Sequence, residues 1–77
     1  MQVEIFTAES ALEAGLMEAV RSGETKISGS YEMSKEGIIE FKQNEFTFVD
    51  KNGKLRCGKF KIIFQDMAEV TMFSALF

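Results

Sequence analysis

The sequence predicts a single small α+β domain over residues 1–77 in two layers, with one N-terminal helix packed on a mostly antiparallel sheet of about five strands. Three observations carry this. The chain opens on a strand-like alternation, an apolar stripe at 3.6-residue spacing follows, and the remainder alternates at period two between turn signals. At 77 residues there is room for one core only, and a domain of this size buries only about 60% of its unfolded surface.

In MQVEIF, Val3 and Ile5 share one face while Gln2 and Glu4 share the other, which predicts a first strand with Ile5 turned to the core. Thr7 suits the N-cap of the helix, with Phe6 before it and Ala11 within it as a hydrophobic staple; Ser10 with Glu13 offers a second capping box, an alternative start for the helix. Ala8, Leu12, Gly15, Leu16, Ala19 and Val20 make one stripe, so a helix over 8–22 is expected, with Gly15 allowing close approach to the sheet and Gly23 closing the end. Such a helix would be about 22 Å long and span about four strands.

Thr25, Ile27, Gly29, Tyr31 and Met33 alternate against polar neighbours and predict a second strand, closed by a turn at Ser34-Lys35-Glu36-Gly37. Extended pattern resumes at Ile38, but the apolar phase slips between Phe41 and Phe46, which requires a bulge or a turn. Asp50-Lys51-Asn52-Gly53-Lys54 is the strongest hairpin signal. A three-residue loop there sets Asp50 opposite Lys54, Val49 opposite Leu55, Gly58 opposite Phe46 and Glu45 opposite Lys59. That pairs charges, so it is preferred to a two-residue turn. The final segment, 69–76, reads as strand from Val70-Thr71-Met72-Phe73, with a helix from Asp66 capped by Glu69 as the alternative. Helix residues Leu12, Leu16, Ala19 and Val20 are expected to meet Ile5, Ile27, Tyr31, Phe48 and Ile62.

Composition narrows the function. Apolar residues at 45% and charged residues at 27% belong to a globular chain rather than a disordered one. There is no histidine, hence neither the commonest general base nor the commonest metal ligand, and no nucleotide or calcium motif. No catalytic residue, cofactor or metal is expected, and the protein is read as not an enzyme. A single cysteine permits no internal disulfide, the N-terminus resembles no secretory signal, and no apolar run reaches membrane length. The expected location is cytoplasmic, with no membrane partner.

Charge is divided unevenly. Residues 1–50 hold ten acids and four bases, while residues 51–77 hold five bases and two acids. The five bases, Lys51, Lys54, Arg56, Lys59 and Lys61, lie in an acid-free segment near Phe46, Phe48 and Phe60. They form a candidate surface for an acidic partner or for single-stranded nucleic acid, or else pair with the chain's own acids. The net charge of −3 and pI near 4.9 weigh against nucleic acid. Cys57 sits between cations, but without a base beside it a lone strand cysteine reads as a small hydrophobe. The apolar residues exceed what one helix can cover: Val49, Leu55, Cys57 and Ile63 fall on a second face, and Phe73, Leu76 and Phe77 end the chain. The expected function is a non-catalytic protein-interaction module that self-associates as a homodimer, with Phe73, Leu76 and Phe77 in its interface; the alternative is a small nucleic-acid-binding protein using the hairpin 51–61.

Overall fold

Residues 3–76, apart from the side chain of Leu76, are described by a computed structural model. The elements run β1 (Val3–Thr7), α1 (Ala8–Ala14), α2 (Leu16–Arg21), β2 (Ser30–Met33), β3 (Ile39–Val49), β4 (Leu55–Phe64) and α3 (Met67–Leu76). The strands form one sheet in the order β1-β4-β3-β2. β4 pairs antiparallel with β3, and β3 with β2, while β1 lies parallel to β4. The α+β class and the two-layer arrangement match the sequence. Among the described residues the strands number four; two short helices stand where one was expected, and a third takes the place of the expected last strand.

The N-cap is Thr7: its hydroxyl accepts from the Ser10 N–H at 3.0 Å while the Ser10 hydroxyl accepts from the Thr7 N–H at 2.8 Å, a reciprocal box. The helix does not continue unbroken to 22. Gly15 takes φ +89, the left-handed region, which ends α1 and starts α2. Its role is this break. The side that a Cβ would occupy faces the Lys51 side chain, not the sheet.

The phase of β1 is the reverse of the one expected. Phe6 is buried, whereas Val3 and Ile5 face outward and Ile5 is 61% exposed. Two apolar residues on one face were set against one phenylalanine on the other, and the larger ring took the core, where its edge meets Phe60 at 6.0 Å.

The slip between Phe41 and Phe46 is a β-bulge. Three steps on β3, from Gln43 to Phe46, span two on β4, from Phe60 to Gly58. One extra residue brings Phe46 and Phe48 back to the face that holds Phe41. The expected hairpin register forms next to the loop, with Val49 opposite Leu55, Gly58 opposite Phe46, the Asp50 N–H bonded to the Lys54 carbonyl at 2.9 Å, and Gly53 at φ +81; the expected pairing of Glu45 with Lys59 does not form, because the bulge takes Glu45 out of register.

The expected strand over 25–33 is regular only from Ser30. The segment before it runs beside β3 through side-chain bonds. The terminal segment is helix, not strand: the Glu69 N–H bonds the Asp66 carboxylate at 3.0 Å while the Glu69 carboxylate accepts from the Gln65 N–H at 2.6 Å. That capping box outweighs the β preference of Val70 and Thr71. α3 places Phe73, fully buried, edge-on to Phe64 at 5.4 Å.

One core results. Phe6, Leu16, Met17, Phe41, Phe46, Phe48, Phe60, Ile62, Phe64 and Phe73 pack together, with Ala8, Ala11 and Ala19 letting the helices approach. Leu12 and Tyr31 lie only at its margin and Ile27 is partly buried against it.

Candidate functional site: the helix-free face of the sheet

All the core-forming helix residues meet the face that bears Phe60 and Ile62. Strand geometry sends the alternate residues to the opposite face, on which no helix of the described residues packs. That face is built from cross-strand rows. Ile5, Lys61, Lys42 and Ser30 form one row, and Thr7, Ile63, Glu40 and Glu32 the next. Val3 lies beside Lys59, and towards the hairpin tip Thr47 faces Cys57 and Val49 faces Leu55.

Its centre is an ion network. Lys61 Nζ lies 3.3 Å from one oxygen of Glu40, and Lys42 Nζ lies 3.7 Å from the other and 3.7 Å from Glu32. Two cations and two anions balance there. Around them stand exposed apolar side chains: Val3 and Ile5 along β1, and Val49 and Leu55 (59% exposed) at the hairpin tip.

The basic segment does not act as one patch. Lys51 joins the helices to the hairpin. Its N–H bonds the Ala14 carbonyl at 3.1 Å, its stem lies over Gly15 and its ammonium is 3.6 Å from Glu18. Arg56 turns to the helical side, where it donates to Asp50 at 3.0 Å, lies 3.4 Å from Glu4 and covers the Phe6 ring at 5.8 Å. Lys61 belongs to the central network. Only Lys54 and Lys59 make no ion pair among the described residues. Phe46, Phe48 and Phe60 are core residues and offer no stacking platform to a nucleic-acid strand.

Asp50 holds the hairpin loop. One carboxylate oxygen accepts from the Asn52 and Lys54 N–H groups at 2.9 Å each and the other accepts from Arg56. The Lys54 N–H above all, then Asn52 and Arg56, keep this carboxyl below its usual range against the opposing effect of burial.

The expected interface residues at the chain end divide differently. Phe73 is sealed in the core by the helical register of α3 and is not a surface group. The Leu76 side chain and Phe77 lie outside the described residues. Sequence reasoning turned Val3 and Ile5 inward and so missed them. The signal that would have found them is Phe6, whose size competes for the core from the opposite parity.

Other concavities carry little chemistry. One, about 530 Å³, is an open groove where Glu24, Lys26, Glu45 and Cys57 line the rim beside the bulge. Among the described residues every buried side-chain polar atom has a partner, no cluster could hold a metal, and no helix is long and apolar enough to cross a membrane.

The chain matches no family model, no curated protein and no solved structure. Function is therefore argued from this face alone.

Proposed function

We propose that the protein is a non-catalytic protein-interaction module of the cytoplasm that self-associates through the helix-free side of its sheet. One observation carries this reading: the side without a helix bears Val3, Ile5, Val49 and Leu55 exposed to water. A sheet with one wet face ordinarily alternates apolar inward and polar outward. This one breaks the rule on both sides of its ion network, and exposed apolar clusters rimmed by polar residues mark contact surfaces. The cytoplasmic assignment rests on Cys57, which is free and exposed as suits a reducing compartment. Single-strand binding through 51–61 has less support, because three of its five bases are engaged within the chain and its aromatic residues are buried.

The test is molar mass by light scattering across concentrations from roughly 10 to 500 μM, at low and high salt. Mass should climb from the 8.7 kDa monomer towards twice that value as concentration rises. Because apolar contacts dominate, added salt should leave the association intact. A constant monomer mass throughout would overturn the proposal.

A further inference from the structure

Two copies could use this side of the sheet in two ways, face against face or edge beside edge. Stacking the faces would bury the Lys42–Glu40–Lys61–Glu32 network together with Lys59, which has no ion-pair partner among the described residues. Burying such ions costs more than their attraction returns unless every bond is satisfied. The edge has no such obstacle. As a strand β1 pairs only with β4; its last residue, Thr7, also bonds Ser10 of α1, and its other side pairs with no strand among the described residues. Of the devices that blunt exposed edges, residues 3–7 contain no lysine, proline or bulge; their one charge, Glu4, is turned to the helical side and engaged by Arg56.

We propose that β1 pairs antiparallel with β1 of a second copy, centred on Ile5, so that two four-stranded sheets become one continuous sheet. This rests on the self-association reading and specifies its contact. The strand is self-complementary in that register: Ile5 meets Ile5 of the second copy, and Val3 meets Thr7 on the helix-free face. On the helical face Glu4 stands opposite the second copy's Phe6, the ring that Arg56 covers, so each Glu4 gains a second guanidinium. The central ion network stays in water. Five residues per copy make a small interface, in the size class of weak, transient associations.

The experiment traps the pair. In a Cys57→Ser background, Ile5→Cys and, separately, Leu55→Cys are exposed to oxidised glutathione at high protein concentration; both positions are more than half exposed, so neither change disturbs the core. Directly opposed residues of an antiparallel pair hold their Cβ atoms about 4.5–5.5 Å apart, close to disulfide reach. Ile5→Cys should link covalently into dimers and Leu55→Cys should not. In parallel, Ile5→Lys should weaken the association of the otherwise unaltered chain about tenfold or more by opposing two charges, while Met67→Lys, at an exposed position of α3 away from the sheet's helix-free side, leaves it unchanged. Linkage through Leu55→Cys, equal linkage through both, or a wild-type dimer that links through neither would overturn edge pairing while self-association stands. A wild type monomeric by light scattering would overturn both.

Discussion

The two sides of this sheet are finished in opposite ways. Along β3, the strand's outer hydrogen-bonding groups are met by the segment that leads into β2. Thr25 donates to the Thr47 carbonyl at 2.6 Å, Glu24 accepts from the Val49 N–H at 3.1 Å, and Gln43 bonds back to that segment. β2 covers the rest, with Tyr31 reaching Ser74 of α3 at 2.9 Å. Along β1 no segment of the described residues plays that part; the strand is tied to β4, through Glu4 to Arg56, and at its end through Thr7 to Ser10. The stretch of β3 from Gln43 to Val49 is closed by internal partners and β2, the other edge strand, covers the rest, whereas β1 offers backbone and apolar side chains to whatever pairs with it. The difference teaches that exposure at β1 is not a general looseness of a small domain.

The strongest way to break the contrast is to unseat the guarded side at Gly29. A Cβ there would overlap the Lys42 carbonyl oxygen and stand 3.0 Å from the Phe41 ring. Gly29→Ala should cost about 2–4 kcal/mol, read as a lowered denaturation midpoint. An unchanged midpoint would show that the 24–30 segment is not held against β3.

Gln43→Ala comes next. This buried amide accepts from the Ser28 N–H at 2.9 Å and donates to the carbonyls of Lys26 at 2.9 Å and Glu45 at 2.6 Å. Losing it leaves a donor and two acceptors poorly satisfied beside the bulge, for about 2–3 kcal/mol. Amides of residues 25–28 should lose hydrogen-exchange protection before those of β1, and the reverse order would contradict the assignment of the guard.

The smallest effect concerns Asp50, which holds the hairpin loop and the Arg56 that reaches Glu4 of β1. Folding lowers the Asp50 pKa, so the folded state binds this proton less tightly than the unfolded chain. The stabilisation is complete above the unfolded value of about 3.9 and drains away as pH falls through the lower folded value. Asp50→Asn should lower the melting temperature by a few degrees at pH 7 and by much less at pH 3, flattening the acid limb of the stability profile. Equal losses at both pH values would mean that the ionised form of Asp50 contributes nothing.

Much of this was legible in the chain. Thr7 announced the helix start, because a hydroxyl before an apolar stripe is a local signal that tertiary packing rarely reverses. Asn52-Gly53 and the charges around it gave the hairpin register, and the slipped phase between Phe41 and Phe46 required an irregularity that the structure resolves as a bulge. What escaped depended on distant partners. The phase of β1 turned on Phe6 finding Phe60, and the break at Gly15 on Lys51 arriving from the hairpin. The terminal helix set a capping box against β propensity, two local signals of opposite sign that the Phe73–Phe64 contact decides. The candidate surface was legible as apolar surplus and charge, but not as a place. Its basic segment is dispersed by the pleat, which sends Arg56 and Lys61 to opposite faces.

The parallel pairing of β1 with β4 has a consequence in time. Val3 lies beside Lys59 and Thr7 beside Ile63, so the first strand to be made pairs with nearly the last. β3 and β4 close a short loop and form their hairpin locally, whereas β1 must shut a loop of more than fifty residues, and distant pairings of this kind come late and slowly. Until they do, β1 lacks a partner on either side, and on a ribosome it waits while almost the whole sheet is still being synthesised. The strand that faces a second copy in the finished molecule is thus also the one exposed longest on the way there.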